Sequence, residues 1–171
     1  LSFAAPVKVP GISGKVDDSD VVKYSGGTFS TYFDGSDYDL TTSAENVDAI
    51  AFDETGKLLV STTGIYTVAG LPKGQDEDLL RFDGGTWELY FDGSTVGLGA
   101  EDIAGVDVAA NGNIYLSVMD SFNVTGASGN ATDIFTCVPS GLGHPTPGCD
   151  YRLLWDSADY GFKSFDAFDI E

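Results

Sequence analysis

The sequence predicts an all-β fold of β-propeller-like repeats, with three four-stranded blade units in a single domain spanning residues 1–171. Three observations predict this class. Short runs rich in valine, isoleucine and aromatic residues alternate apolar with polar positions, as strands do. Glycine-rich turn sequences separate these runs. The whole pattern occurs three times, and a repeat of this length with four strands is typical of a propeller blade.

The repeat is clearest between residues 20–29 and 78–87, which align without a gap at a spacing of 58 residues. Both segments read as aspartate, two aliphatic residues, a basic residue, an aromatic residue and then a turn with two glycines. The third copy begins at residues 133–137 and resumes after an insertion at residues 151–157. Three copies of about 57 residues divide the chain into units of about 1–53, 54–110 and 111–171.

Each unit contains four predicted strands, which in the middle of the chain are residues 47–52, 57–62, 78–82 and 86–91. Turn sequences follow the first and third strands, and a longer segment, residues 63–77, joins the second to the third. Whether that segment adds a hairpin is left open. No window keeps a period of 3.6 residues, so the sequence predicts no helix.

Residues 81–87 (Arg-Phe-Asp-Gly-Gly-Thr-Trp), with the blocks at 47–52 and 112–115, resemble the regulator-type propeller repeats of bacterial sensor ectodomains. Residues 90–98 are similar to repeats in large exported bacterial proteins. The resemblance covers nearly the whole chain and implies blades. It implies no particular activity, because propellers carry many unrelated functions. The sequence departs from sensor propellers in having three units and no transmembrane or signalling segment.

The phase of the repeat predicts incomplete, permuted terminal blades. Leu1 and Ser2 align with the middle of a second strand, and residues 165–168 align with the first strand at 47–50. Three blades are too few for an ordinary ring of four to eight. Two chains could exchange strands in a closed six-bladed dimer, or each could complete the next in an open filament. The third alternative is that the chain is a fragment of a longer propeller.

Charge excludes several classes of partner. The 27 acidic and 8 basic residues give a net charge of −19, which repels nucleic-acid phosphate and anionic membrane surfaces. No apolar run reaches the roughly 18 residues of a membrane span, so we expect no membrane insertion. No signal peptide is recognisable at Leu1, where sequence typical of a folded domain begins, so we expect a processed or trimmed chain.

The two cysteines, Cys137 and Cys149, are predicted to form a disulfide, because their spacing does not fit a CxxC redox or metal motif. A disulfide indicates an oxidising compartment, so the protein is expected to be secreted, extracellular or on the cell surface. Asn123 and Asn130 begin N-x-T sequons and are candidate glycosylation sites.

Catalytic chemistry finds little support in the sequence. The single histidine, His144, lies in the Gly- and Pro-rich segment between the cysteines, where no fixed carboxylate is predicted to orient it. We therefore predict that the protein is not an enzyme and that His144 is structural. A pair of glycosidase carboxylates cannot be identified among 27 acidic residues.

Calcium is the one cofactor that the sequence suggests, because it binds clustered carboxylates in loops. The metal-ligand candidates recur at equivalent positions of the repeat: Asp34, Asp37, Asp39, Asp17, Asp18, Asp20, Asp76 and Asp78. A third set pairs Glu45 with Asp48 and Glu101 with Asp102. Recurrent Asp-Gly sequences also have a structural explanation, since they form tight turns.

Taken together, these features predict a secreted, non-enzymatic structural or binding module that self-associates through exchange of terminal strands. The alternative is a calcium-dependent module that recognises carbohydrate or peptide. A lectin would need exposed aromatic side chains, whereas alternation predicts that most of the recurring aromatics lie in the core. That set is Tyr24, Phe29, Tyr32, Phe33, Phe82, Trp87, Tyr90, Phe91 and Trp155.

Overall fold

The computed structural model describes residues 1–162. Within them lie twelve strands, which in chain order are β1 (Val21–Ser25), β2 (Thr28–Phe33), β3 (Val47–Phe52), β4 (Leu58–Thr62), β5 (Leu79–Asp83), β6 (Thr86–Phe91), β7 (Ile103–Val108), β8 (Ile114–Val118), β9 (Phe122–Val124), β10 (Ala127–Gly129), β11 (Ile134–Pro139) and β12 (Cys149–Trp155). The helical elements of the same residues are short 3₁₀ turns at Gly35–Tyr38, Ser43–Glu45, Ser94–Val96 and Ser157–Asp159. None of the helices in this range is long and apolar enough to cross a membrane.

The strands form two complete four-stranded antiparallel sheets and two hairpins. Sheet order is β3-β4-β5-β6 in one and β7-β8-β11-β12 in the other, while β1 pairs with β2 and β9 with β10. The prediction of an all-β fold is confirmed. Within residues 1–162 the sheets do not close into a barrel or ring, so the propeller arrangement stays a prediction.

The predicted strands at 47–52 and 86–91 are found with the same bounds, and the other two shift by one residue. Segment 63–77 forms no strand, and a single bridge joins Tyr66 to Gly74. The corresponding part of the next repeat does form a hairpin, β9-β10. The additional hairpin, which the sequence analysis did not decide, is therefore present in the last copy and reduced to a single bridge in the middle one.

Paired glycines set the register of two hairpins. Gly26 and Gly27 join β1 to β2 with φ of 59° and 84°, and Gly84 and Gly85 join β5 to β6 with φ of 58° and 119°. Two successive positive φ values match the right-handed twist of the flanking strands, and glycine adopts them without steric cost. The double glycine of the repeat therefore specifies the turn that joins the third and fourth strands of a unit.

Apolar side chains fill the space between successive sheets. One core cluster contains Val21 and Phe33 from the first hairpin together with Val60, Leu80 and Trp87 from the middle sheet. A larger cluster joins the middle sheet to the last, and includes Ala49, Ala51, Leu59, Ile103, Val106, Ile114, Leu116 and Phe135. Each repeat thus buries its apolar faces against its neighbours, as repeat proteins do.

The segment between the cysteines crosses from the last sheet onto the middle one. Cys137 and Cys149 are disulfide-bonded, as predicted. The amide of Gly143 donates to the carbonyl of Tyr90 at 2.8 Å, and the amide of Asp92 donates to the Thr146 hydroxyl at 2.8 Å. The insertion is therefore a docked loop that covers the free edge of β6.

Candidate functional site

In two of the repeats, the aspartate just before the third strand is hydrogen-bonded to the residues that follow the fourth strand. One oxygen of Asp20 accepts from the Asp17 amide at 2.7 Å and the other from the Gly35 amide at 3.0 Å. Asp78 does the same with the amides of Gln75 and Gly93, at 3.3 and 3.2 Å. These carboxylates face N–H donors, which is the opposite of what a cation requires of its ligands.

The aspartates that follow the outer strands shape turns. Asp34 accepts from the Ser36 hydroxyl at 2.7 Å, and Asp39, at a φ of 74°, accepts from the amide of Ala69 at 2.9 Å. Asp17 and Asp37 are exposed, while Asp18 and Asp76 are half-buried. In residues 1–162 no group of three or more His, Cys, Asp or Glu side chains is placed to hold a metal ion. Calcium binding at these residues stays a prediction.

The third set of acidic residues is paired differently from the sequence expectation. Glu45 is buried and accepts from the amides of Thr41 and Thr42, at 3.0 and 2.9 Å, and from that of Thr67 at 2.9 Å. Burial acts to raise its pKa, but these hydrogen bonds outweigh burial and lower it. Glu45 therefore closes a turn and does not pair with Asp48.

Asp48 instead meets Asp102, across the contact between β3 and β7. Asp48 occupies a bulge in β3, between the pairs Val47–Thr62 and Ala49–Ser61, and Asp102 immediately precedes β7. Both residues line one cleft, and both oxygens of Asp48 and the Oδ1 atom of Asp102 are buried without a hydrogen-bond partner among the described residues. Burial, and then the charge of Asp102, raise the pKa of Asp48 to about 8, a shift that favours the protonated form of the pair.

A cleft of about 470 Å³ surrounds this carboxyl pair. It is mostly apolar, with the amide side chain of Asn46 beside the acids, and its lining includes the amino-terminal residues Ser2, Phe3 and Ala4 as well as Met119. The Oδ1 atoms of Asn46, Asp48 and Asp102 are all buried. The cleft is thus a concave surface in which titratable groups converge.

A larger concave surface than this cleft is an apolar groove beside the first hairpin, with a volume of about 710 Å³. We call it the β1 groove; its lining is Leu1, Val21, Val22, Lys23, Tyr24, Phe29, Tyr32, Ile50 and Phe52. Three of its aromatic side chains are largely exposed, at 58% for Tyr24, 46% for Tyr32 and 44% for Phe52. The prediction that the recurring aromatics are mostly core holds for Phe33, Trp87, Tyr90 and Phe91, which are buried.

The backbone edge of β1 above this groove is largely unoccupied in the part of the chain described. Leu1 exchanges two backbone hydrogen bonds of 2.8 Å with Val22. The equivalent pair in the middle sheet is Val60 with Leu80, and there the pairing continues to Leu58 and Phe82. At Tyr24, the residue equivalent to Phe82, the first hairpin has no such partner strand.

The remaining predicted residues lie at the surface or in the docked loop. Asn123 and Asn130 are both exposed. Nδ1 of His144 contacts the carboxylate of Asp92, a residue that also accepts from the Ser94 hydroxyl at 2.7 Å. The expectation that no fixed carboxylate orients His144 is therefore wrong, because the buried Asp92 contacts its ring, and the structural role of His144 stays a prediction. Comparison of the chain with family models, with curated proteins and with solved structures finds no match.

Proposed function

We propose that this chain is an exported, non-enzymatic β-repeat module that self-associates by strand addition. A second copy supplies its carboxyl-terminal segment, residues 163–171, to the incomplete sheet that contains the first hairpin, at the β1 groove. The single observation that carries the proposal is the combination of an open backbone edge on β1 with a large apolar groove directly beneath it. Such edges are the usual templates for an added strand.

The open edge has a defined hydrogen-bonding register. Val22 already pairs with Leu1 on this side. Backbone groups on one edge of a strand alternate, so those of Tyr24, two residues further on, point to the same edge. In the middle sheet the strand next to β5 is β4, the second strand of the unit, and the strand beyond it is β3, the first strand. The first hairpin therefore presents part of a sheet whose remaining strands have a specified position.

The exposed apolar surface of the β1 groove favours the addition of a further strand. Its aromatic side chains leave a contiguous apolar surface, with Tyr32 and Phe52 packed edge to face at 5.6 Å between ring centres. A patch of this kind on a soluble protein is typical of an interaction surface. Burying it on binding would contribute favourably at about 25 cal/mol for each Å² removed from water.

The carboxyl-terminal segment is the occupant that the repeat favours. In the described copies a 3₁₀ turn follows the outer strand, and the next strand opens a new sheet: β3 follows Gly35–Tyr38 and β7 follows Ser94–Val96. The third such turn is Ser157–Asp159, and residues 165–168 align with the start of β3. This segment lies outside the described residues, and on the repeat we propose it as the donor to the incomplete first sheet of a second copy, at the place that β3 takes beside β4 in the middle sheet.

Two bulk properties shape the expected behaviour. The disulfide supports an oxidising, extracellular location or one at the cell surface. A net charge of −19 on each copy opposes association, so assembly is expected to strengthen as added salt screens the repulsion. A closed dimer of six sheets and an open filament are two products that such strand addition can give.

The test is the mass in solution by light scattering over a concentration series, in low and in high salt. Wild-type protein should form a dimer or a ladder of larger species, more so in high salt, and EDTA should not change this. Deletion of residues 163–171 should weaken association by more than about tenfold. A wild-type protein that stays monomeric at every concentration and salt level would overturn the proposal.

A matched pair of variants tests the edge itself. Tyr24→Pro removes an N–H that points to the open edge, and proline is tolerated in edge strands, so folding should survive while association that pairs a strand with β1 is weakened. Tyr24→Phe keeps the backbone and the ring, and should associate like wild type. Circular dichroism of both variants verifies that they fold. Loss of association on addition of EDTA would instead favour the calcium-dependent recognition module.

A further inference from the structure

The cleft between β3 and β7 contains a pair of acids with an unusual hydrogen-bond balance. Both oxygens of Asp48 and the Oδ1 atom of Asp102 are buried, and none of the three has a hydrogen-bond partner among the described residues. Two carboxylates cannot hydrogen-bond to each other unless one of them carries a proton. A proton shared between Asp48 and Asp102, which line the same cleft, would supply the hydrogen bond that these oxygens lack.

The two acids belong to different sheets. Asp48 lies in the bulge of β3, the first strand of the middle sheet, and Asp102 lies at the start of β7, the first strand of the last sheet. Around Asp102 the backbone also links the sheets, because the amide of Ile103 donates to the carbonyl of Asp76 at 3.0 Å. A change in the attraction between the two side chains therefore acts directly on how the two sheets meet.

We propose that Asp48 and Asp102 form a pH-sensitive clasp: the shared proton holds β3 against β7, and its loss makes the two charges repel and opens the cleft. The inference does not depend on self-association. It assigns to the amino-terminal residues Ser2–Ala4, which line the same cleft, a position that shifts when the clasp opens.

The charged groups that act most strongly on the pair are acidic. Asp76 and Asp120 act on Asp102, and Asp120 also acts on the neighbouring Glu101. The nearby amides of Asp48 and Ala49 offset only part of the effect of burial on Asp48. With no cation among these neighbours, nothing in the described surroundings compensates a second negative charge, and one proton is retained until mildly alkaline pH.

The sign of the pH dependence follows from the direction of the shift. The pKa of Asp48 is raised from 3.8 to about 8, so between these values the folded state holds a proton that the unfolded state has released. Stability from this pair is therefore fully present below about pH 4 and falls as the pH rises through the folded pKa. Between pH 5 and 7 the unfolding constant should increase by up to about tenfold per pH unit from this pair.

The clasp is tested with Asp48→Asn, whose amide donates to Asp102 at any pH. Urea unfolding from pH 5 to 9 should show a pH slope smaller than that of wild type by about one proton. Glu77→Gln is the control, because burial raises the pKa of Glu77 to about 7 at a different site. Its effect on the slope should add to that of Asp48→Asn. An unchanged slope in Asp48→Asn, or a carboxyl NMR signal of Asp48 that titrates near 3.8, would overturn the clasp.

Hydrogen exchange distinguishes an opening cleft from a buried acid that merely titrates. The reporter amides are Ile103 and Met119, which donate to the carbonyls of Asp76 and Asp102. After correction for intrinsic rates, both should exchange faster at pH 9 than at pH 6 in wild type and equally fast in Asp48→Asn. Phe135, in the core of the last sheet, should be unaffected. Equal protection of the reporters at both pH values in wild type would contradict the opening.

Discussion

Asp133 and Ser157 are joined by two hydrogen bonds of 2.8 Å, in which the amide and the hydroxyl of Ser157 donate to the same carboxylate oxygen. The second oxygen of Asp133 accepts from the amide of Asn130 at 2.7 Å. The contact repeats, with variation, what Asp20 and Asp78 do in the other two copies. One buried carboxylate per repeat therefore fastens the start of the third strand to the end of the fourth.

Replacing Asp133 with alanine should destabilise the protein strongly. The change leaves the amides of Asn130 and Ser157 without their acceptor in a buried position, which costs about 3 kcal/mol of unfolding free energy. Urea unfolding measures the loss. Asp150→Ala is the control, since Asp150 is exposed and paired only with the exposed Arg152, and should change stability by less than about 0.5 kcal/mol. Similar losses in both variants would contradict the assignment.

The hydrogen bonds to Asp133 also determine how the stability of the protein changes at low pH. Burial acts to raise the pKa of Asp133, but the hydrogen bonds from Asn130 and Ser157 outweigh it and hold the pKa below 3.8. The stability that this group provides is therefore present above about pH 4 and is lost as the pH falls through the folded pKa. In Asp133→Asn the fall in stability below pH 4 should be shallower than in wild type, as measured by thermal unfolding.

Gly93 is predicted to tolerate no side chain. It follows β6 with a φ of −64°, an ordinary conformation, but an added Cβ would overlap the carbonyl oxygen of Glu77. Gly93→Ala must therefore displace backbone and should cost about 3 kcal/mol of unfolding free energy. Gly64→Ala is the matched control, because the atoms nearest to its Cβ would belong to Ala44 and lie at 3.4 Å or more, an ordinary contact distance. A stable Gly93→Ala protein would show that the strand end can shift.

Thr146 is predicted to be the main anchor of the docked loop. Its buried hydroxyl accepts from the amide of Asp92 at 2.8 Å and donates to the carbonyl of Gly143 at 2.9 Å. Thr146→Val keeps the shape and leaves the amide unpaired, at a cost of about 2 kcal/mol. Thr86→Val, at an exposed turn position, should have little effect. Faster proteolysis between residues 140 and 148 in Thr146→Val alone would confirm that the loop has been released.

The sequence predicted the strands well because their signals are local. Alternation and paired glycines identified β3 and β6 with the correct bounds and predicted the turn at Gly84 and Gly85. The disulfide followed from spacing and composition in the same way. These features depend on residues close together in the chain, and the repeat supplied independent copies of each pattern.

The candidate sites were harder to predict because they depend on contacts between sheets. The sequence singled out Asp48 and Asp102 but grouped each with the glutamate nearest to it in the chain. Only the packing of β3 against β7 reveals that the two aspartates face each other. Equally, Tyr24 and Tyr32 alternate like core residues, and their exposure reflects the absence of a partner strand on β1 in the described chain, which no local pattern encodes.

The docked loop has a consequence for how the molecule unfolds. Stacked repeats that touch only their nearest neighbours along the chain can melt one unit at a time. Here Thr146 and Asp92, which are 54 residues apart in sequence, are hydrogen-bonded to each other. The docked loop that contains Thr146 is also closed by the disulfide between Cys137 and Cys149. The middle and last sheets therefore share a non-local interaction that neither can lose alone. Their unfolding should be a single cooperative transition, and their folding correspondingly slow to nucleate.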